Sequence, residues 1–147
     1  MGVRVQREDF DIGAEVTRLT AGRTDIGAVV TFTGTVRGDN GLVGMTLEHY
    51  PGMTEDELAR VEAEAGARWP LLASLIVHRI GPLRPGDNIV LVVTASPHRQ
   101  AAFEAARFLM DYLKTRAPFW KKELSPDGSE RWVEARAGDD AAAGRWE

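Results

Sequence analysis

The order of hydrophobic and polar positions along the chain predicts strands interleaved with three helices. Short apolar or alternating segments, each typical of a strand, lie at residues 3–5, 26–36, 45–50, 73–80, 88–95, 118–124 and 130–136. Helices are predicted over residues 11–21, after Gly52 and after Ser96. The aliphatic run at 89–93 indicates a central strand covered on both faces. This order predicts a two-layer α/β or α+β domain whose sheet is partly antiparallel.

Side chains near the helix ends predict where two of these helices begin. Thr54, with Glu57 three residues later, matches a capping box and is followed by an apolar stripe. Ser96 is the expected N-cap of the last helix, with Pro97 in its first position and Pro118 ending it. That helix is apolar nearly all round. One face can therefore cover the sheet and a second face a partner, although deep burial in a single domain explains the same pattern.

Composition narrows the class of protein. The 147 residues, 44% hydrophobic and 27% charged, predict a single globular domain at 1–137 and a flexible or late-docking tail at 138–147. The absence of cysteine excludes disulfides, a thiol nucleophile and thiolate metal sites. No long apolar run or basic-then-apolar leader occurs, which predicts no membrane span and fits a cytoplasmic protein. The net charge of −4 disfavours a dedicated nucleic-acid binder.

Lysine is confined to one short segment. All three lysines lie between Lys114 and Lys122, whereas fifteen arginines are spread along the chain. Lysine carries a compact ammonium group whose pKa falls readily on burial, so it can act as acid, base or nucleophile. The segment is therefore a candidate active site, although chance clustering on a solvated surface explains the spacing about as well.

The strand that follows the last helix separates two of the lysines. Alternation along a strand places Lys121 and Glu123 on one face and Lys122 on the other. Only one of the two lysines can therefore join Lys114 in a pocket. Lys121 is the better candidate, because the carboxylate of Glu123 on the same face can stabilise its positive charge. The competing explanation is an exposed edge strand whose lysines prevent it from pairing with strands of other molecules.

A second candidate site lies at the start of the last helix. His98 and Arg99 carry positive charge into a helix N-terminus, where a bound anion would offset their repulsion by the helix dipole. The alternative is that both side chains are exposed to solvent and tolerate the small energetic cost of this repulsion. Arg37 emerges from the threonine-rich face of the strand at 26–36. A rise of about 1.5 Å per residue places Arg99 roughly 22 Å from Lys114, so a shared site requires a two-fold dimer.

The remaining histidines and the tryptophans are expected to be structural. A hydrogen-bonded core histidine is more common than a ligand, and this applies to His49 and His78. Trp69, Trp120 and Trp132 are expected in the core rather than as stacking platforms. With three histidines and no cysteine in the chain, no metal centre and no bound cofactor are predicted.

A series of sequence blocks gives a more specific signal than any single motif. The blocks are residues 27–34, 36–37, 47–53, 68–70, 78–81, 85–87, 98–99, 110–121 and 131–136. In content, order and spacing they resemble the catalytic (large) subunit of molybdopterin synthase. The resemblance runs from about residue 26 to residue 136, and the first 25 residues and the tail add little to it.

The resemblance implies an enzyme of molybdenum cofactor biosynthesis. Members of the family are sulfurtransferases that convert cyclic pyranopterin monophosphate (precursor Z) to molybdopterin. Their sulfur comes from a small ubiquitin-like subunit, as a thiocarboxylate on its C-terminal Gly-Gly. The family fold is an α/β hammerhead with an added antiparallel sheet. Two large subunits form a central homodimer, and one small subunit at each end completes a heterotetramer.

The resemblance also assigns roles to individual residues. Lys114 and Lys121 match the active-site lysines of the family. Lys114 would lie nearest the thiocarboxylate, as acid/base or transient acyl acceptor, and Lys121 would stabilise developing negative charge with support from Glu123. The residues that match the anion pocket, with the last as a weaker candidate, are Arg37, His98, Arg99 and Arg136.

Two other functions fit parts of the sequence. A non-catalytic dimeric module could bind an anionic metabolite in its cleft, in which case changing a lysine would weaken binding rather than turnover. An RNA-binding module using residues 119–122 would need exposed aromatic rings on a basic face. The acidic composition disfavours this second alternative.

Overall fold

The computed structural model describes residues 2–39, 41–133 and 144–146. Three helices and eight strands lie within those ranges. In chain order they are β1 (Gly2–Gln6), α1 (Ile12–Thr20), β2 (Ala28–Thr35), β3 (Gly44–His49), α2 (Met53–Arg68), β4 (Ala73–Arg79), β5 (Gly81–Leu83), β6 (Asn88–Ser96), α3 (Arg99–Thr115), β7 (Phe119–Leu124) and β8 (Glu130–Val133). In the same ranges, no helix combines the length and the apolar composition needed to cross a bilayer.

Two four-stranded sheets organise the domain. The first has the order β1-β4-β6-β2, with β1 parallel to β4 and the other neighbours antiparallel. The second has the order β5-β3-β7-β8 and is antiparallel throughout. The predicted α+β fold, with a mixed sheet, three helices in the described ranges and an added small antiparallel sheet, is confirmed. The short strand β5 was not predicted.

The main core lies between the first sheet and the helices α2 and α3. Leu58, Ile76, Val92 and Phe108 are almost fully buried there. A smaller cluster around Phe10 packs with α1 on the opposite face of the sheet. Strand β6 lies in the interior of that sheet and its last seven residues are buried, which confirms the predicted central strand.

Helix α2 begins differently from the prediction. Its N-cap is Gly52, whose φ of 86° is a left-handed conformation that glycine adopts readily. The Gly52 N–H donates to Glu55 Oε1 at 3.1 Å, so Glu55 rather than Glu57 closes the first turn. The predicted capping box of Thr54 and Glu57 is wrong, because Thr54 already lies inside the helix.

Helix α3 begins later than predicted. His98, not Ser96, is the N-cap, with an extended backbone and no side-chain capping bond. Ser96 is instead the buried last residue of β6, and its hydroxyl oxygen accepts a long bond of 3.4 Å from the His98 N–H. Pro97 therefore lies in the connection between strand and helix. Pro118 does follow the end of α3 at Thr115, as predicted.

The outer face of the second sheet carries exposed tryptophans. Trp120 and Trp132 are 44% and 53% exposed. Strand alternation turns both away from the small core of this sheet, so the prediction that they belong to a core is wrong. Trp69, in contrast, packs against the main core.

The C-terminal end of the chain packs against α3. Trp146 Nε1 donates to Asp111 Oδ2 at 2.6 Å, and its ring meets those of Trp69 and Phe108 edge-on at centroid distances of 5.5 and 5.7 Å. These contacts join residue 146 to the main core. The predicted tail boundary near residue 138 lies outside the described residues, so it stays a prediction.

Replacing Trp146 by alanine is expected to lower the free energy of unfolding by about 2 kcal/mol, because ring contacts and a hydrogen bond are lost together. Urea denaturation measures the change. Trp132→Ala is the matched control on an exposed surface, with an expected loss below about 1 kcal/mol. Equal losses in the two variants would show that the ring of Trp146 adds nothing to the core.

Candidate functional site

Strand β7 places two lysines on opposite faces. Lys121 pairs with Leu47 of β3, and Leu47 belongs to the small core, so the partly buried Lys121 side chain shares the inner face. Lys122 lies on the outer face, where its Nζ is 3.1 Å from Glu130 Oε2. The predicted separation of the two lysines is confirmed.

Glu123 shares the inner face with Lys121 but has another partner. Its Oε1 accepts a 3.3 Å hydrogen bond from Arg131 Nη2 of β8. The Arg131 side chain is largely exposed, so this contact adds little to stability. The supporting role of Glu123 toward Lys121 stays a prediction. Arg136 lies outside the described residues, and its role also stays a prediction.

Helix α3 runs antiparallel to β6 and divides the candidate residues between two ends of the domain. Near its start, the Ala102 carbonyl accepts a 2.7 Å bond from Thr94 Oγ1, close to the end of β6. In its last turn, the charge of Lys114 acts on His78, which pairs with Val90 near the start of β6. The Lys114 side chain is exposed.

Arg37 lies at the same end of the domain as Lys114. Strand β2 runs antiparallel to β6, with Thr35 opposite Asn88. Arg37 therefore follows β2 at the edge where β6 begins. Its side chain is exposed, and its Nη1 lies 3.9 Å from Asp39 Oδ2. The structure thus brings one predicted anion-binding residue to the lysine end.

His98 and Arg99 lie at the opposite end. Ala28, the first residue of β2, pairs with Ser96, and α3 begins shortly after it. Both predicted side chains are exposed. The 17 residues of α3 separate Arg99 from Lys114 by about 22 Å along the helix axis. One chain alone therefore does not bring the histidine–arginine pair to the lysines.

A close approach of two backbone segments fixes the start of α3. The Gly27 N–H donates to Ser96 O at 3.0 Å. A Cβ atom at Gly27 would lie 2.2 Å from Pro97 O, which no side chain can accommodate without displacement of the backbone. The glycine thus allows β2 to hold the turn that presents His98.

A stacked ring pair lies near Lys114. The rings of His78 and Phe119 have centroids 3.7 Å apart and planes 16° apart. His78 is only 8% exposed, and its Nδ1 lies 2.8 Å from Arg79 O. Since a carbonyl can only accept, Nδ1 carries the proton of the neutral ring and Nε2 the lone pair. The predicted core histidine is confirmed, whereas no sequence spacing indicates the stack.

Basic groups gather around this ring pair. Burial, with smaller contributions from Lys114 and His49, outweighs the hydrogen bond to the Arg79 carbonyl and lowers the pKa of His78 from 6.5 to about 4. His49 lies opposite Phe119 in the register of β3 and β7. His78 is therefore uncharged at neutral pH.

The low pKa of His78 predicts a loss of stability in acid. Its folded-state pKa of about 4 lies below the unfolded value of 6.5, so the unfolded chain binds more protons between these limits. The stabilisation is fully present above pH 6.5 and is lost as the pH falls toward 4. Between pH 7 and pH 5 we expect a loss of about 2 kcal/mol that His78→Phe does not show. Urea titrations of both proteins at each pH measure it, and parallel losses would contradict it.

Thr54 holds the start of β7. It is fully buried, its Oγ1 donates to Pro118 O at 3.0 Å, and the same oxygen accepts from the Tyr50 N–H at 2.9 Å. Helix α2 and the end of β3 are thereby tied to the chain between Lys114 and Lys121. The sequence pattern predicted that the Thr54 hydroxyl caps a helix, whereas in the structure it makes these two hydrogen bonds.

A cavity beside this segment is lined by charged groups of both signs. Its volume is about 430 Å³, and its lining residues are Met53, Asp56, Glu57, Arg60, Arg116 and Pro118. Over the described part of the chain, no group of three or more histidine or acidic side chains is arranged to hold a metal ion. Ammonium and guanidinium groups can bind phosphate, and ammonium and imidazole groups can exchange protons.

Comparison with known proteins identifies relatives that share the sequence and the fold of this chain. A molybdopterin synthase catalytic subunit from Mesorhizobium japonicum is 62% identical over 146 residues, 98% of this chain and 92% of its own length. The MoaE protein of Burkholderia ambifaria superimposes with a TM-score of 0.86 at 56% identity, covering 99% of this chain and 97% of that one. A chain of the complex of subunits 1 and 2 of molybdopterin-converting factor from Helicobacter pylori shares the fold, with a TM-score of 0.77, 19% identity and 91% of each chain covered.

A family model described as MoaE protein matches residues 5–116, which is most of the chain. The match includes the end of β1, all of β2 to β6 and all of α3, with Arg37, His98, Arg99 and Lys114. The Mesorhizobium relative extends the similarity to 98% of the chain, including β7. This chain belongs to the MoaE protein family.

Proposed function

We propose that this chain is the catalytic subunit of a molybdopterin synthase. The enzyme is a sulfurtransferase that converts cyclic pyranopterin monophosphate to molybdopterin in molybdenum cofactor biosynthesis. The observation that carries the proposal is the similarity over nearly the whole chain to a protein named molybdopterin synthase catalytic subunit. The lysine end of the domain, with Lys114 and Lys121, is where the chemistry would take place.

The cyclic phosphate of the substrate would be held by cationic side chains. Guanidinium and protonated imidazole groups form short, charge-assisted hydrogen bonds with phosphate oxygens. Arg37 provides one such group at the lysine end. His98 and Arg99 provide others at the start of α3, where free backbone N–H groups also favour an anion. Arg136 is a further candidate.

The lysines would carry the proton transfers and the stabilisation of charge. Sulfur transfer and opening of the cyclic phosphate require protons to move near neutral pH. Lys114 would lie nearest the thiocarboxylate, donating a proton as ammonium or accepting the acyl group transiently as amine. Lys121 would stabilise negative charge that develops on the substrate, with Glu123 in support.

A two-fold homodimer would complete the site. The length of α3 keeps Arg99 away from Lys114 in one chain, whereas a two-fold axis can place the helix start of one copy beside the helix end of the other. Exposed apolar side chains support a surface covered by a second copy. Phe103 on α3 is 60% exposed, and Phe32 on the edge strand β2 is 41% exposed.

The sulfur would come from a second protein. We assign this role to a small ubiquitin-like subunit with a thiocarboxylate on its C-terminal Gly-Gly, two of which would complete a heterotetramer. The two-subunit complex from Helicobacter pylori supports a partner of this kind. The tail of the small subunit would reach Lys114 along an extended channel beside Pro118 and Phe119.

Reconstitution tests the proposed function. The purified chain is mixed with the thiocarboxylated small subunit and cyclic pyranopterin monophosphate, and the dithiolene product is alkylated and measured by mass spectrometry. Product is expected with the thiocarboxylate and absent with a small subunit that ends in a plain carboxylate. A non-catalytic dimeric module would bind the pterin phosphate without forming product. That outcome would refute the synthase assignment.

A further inference from the structure

His78 joins the two sheets beside the lysines without a role in the chemistry described above. It lies on β4 of the first sheet, and its ring stacks on Phe119 at the start of β7 in the second. Phe119 comes between Lys114 and Lys121 in the chain and lies on the same face of β7 as Lys121. Any displacement of Phe119 would therefore change the path of the chain from one lysine to the other.

The stack is held from several sides. Nδ1 of His78 is fixed by the Arg79 carbonyl at 2.8 Å, which sets the orientation of the ring. Phe119 packs against the main core. One residue earlier, the Pro118 carbonyl accepts the hydrogen bond from the buried Thr54. The start of β7 is thus held both by its backbone and by a ring stack.

The groups around His78 favour an uncharged ring. Lys114 from α3 and His49 from β3 act on it with positive charge. The neighbouring strands β1 and β6 contribute the apolar Val5 and Val90. The acidic Glu55 of α2 lies beyond His49, 3.8 Å from its Nε2. A protonated His78 would place a buried positive charge near that of Lys114, and both the burial and the repulsion are unfavourable.

We propose that His78 is a positioning residue of the lysine site, whose uncharged ring holds Phe119 and thereby fixes the spacing between Lys114 and Lys121. It touches neither substrate nor the small subunit in this role and acts through the geometry of the lysines. A small misplacement of a reacting group is enough to slow a reaction strongly. The kinetic consequence rests on the proposed function; the coupling of His78 to Lys114 does not.

Two variants separate the ring from the rest of the side chain. His78→Ala removes the stack and is expected to lower kcat at least about tenfold with KM changed less than about threefold. His78→Phe keeps a flat uncharged ring and is expected to retain kcat within about threefold. If the alanine variant does not fold, His78→Asn takes its place, since it keeps a donor for the Arg79 carbonyl but no ring. Equal kcat values in the ring-free variant and in His78→Phe would overturn the proposal.

Nuclear magnetic resonance tests the coupling without any assay of activity. The ¹⁵N shifts of His78 are expected to show the proton on Nδ1. Lys114→Met is expected to raise the proton affinity of His78 at least about twofold, because a nearby positive charge is removed. Lys122→Met, on the opposite face of β7, is the matched control and is expected to leave it unchanged. Identical His78 titrations in both variants, or a proton on Nε2, would overturn the proposal.

The two proposals fail in different ways. A wild-type protein that forms no dithiolene product refutes the proposed function, while the titration of His78 still decides whether Lys114 and His78 are coupled. An active wild type whose His78→Ala variant keeps full kcat refutes the positioning role alone.

Discussion

Lys114→Ala is expected to slow dithiolene formation at least about 100-fold, because the reaction would lose its proton donor and acyl acceptor together. Lys121→Ala is expected to slow it by a similar factor through the loss of charge stabilisation. Binding of the pterin phosphate should change less than about threefold in both variants, since the phosphate is held mainly by other groups. Single-turnover product formation and equilibrium binding measure the two effects separately.

Lys122→Ala is the matched control for these substitutions. Its side chain lies on the outer face of β7, where it contacts Glu130 and the ring of Trp132. We expect its rate of product formation within about twofold of the wild type. A loss as large as that of Lys121→Ala would refute the assignment of faces. Wild-type rates for both Lys114→Ala and Lys121→Ala would show that the site assignment is wrong even though the family is right.

Mixed dimers are expected to recover activity that Lys114→Ala and Arg99→Ala each lose on their own, the second through weaker binding of the phosphate. If each site combines Lys114 of one copy with Arg99 of the other, a dimer of a Lys114→Ala chain and an Arg99→Ala chain keeps one intact site. After random exchange of subunits, about one quarter of all sites would be intact. Product formation by the exchanged mixture, compared with each variant alone, measures this recovery.

A second mixture provides the control for this experiment. Lys114 and Lys121 lie at the same end of one chain, so mixing Lys114→Ala with Lys121→Ala leaves every site with one defect. No recovery is expected from that pair. Exchange itself is followed by native mass spectrometry of an isotope-labelled subunit. Proven exchange without recovery in the Lys114→Ala and Arg99→Ala mixture would refute the composite site.

The sequence predicted those parts of the fold that depend on local periodicity. Alternation along β7 assigned Lys121 and Lys122 to opposite faces, and the register confirms it. The unbroken apolar run of β6 identified the buried interior strand. Ser96 and Pro97 near its start and Pro118 after its end predicted the length of α3. The predicted length was accurate enough to show that Arg99 and Lys114 lie far apart. In each case the prediction needed only neighbouring residues and the geometry of a helix or a strand.

Features that depend on contacts between distant segments could not be predicted. A threonine near a helix start is ordinarily a cap, but Thr54 uses its hydroxyl to hold the start of β7 because that segment lies within reach. Trp120 and Trp132 have the composition of core residues, yet the face they occupy has no layer above it in the described part of the chain. The stack of His78 on Phe119 joins two sheets whose relative placement no local pattern specifies.

In the proposed homodimer, the length of helix α3 would also fix the distance between residues of two catalytic centres. Its two ends would serve two different catalytic centres, so an inserted residue would rotate Lys114 by about 100° around the axis and advance it by about 1.5 Å. A whole extra turn would restore the direction of the side chain but displace it by about 5.4 Å. Symmetry would impose the same error on both centres at once. The number of residues in this helix would therefore be constrained more tightly than the identity of the exposed side chains between Arg99 and Lys114.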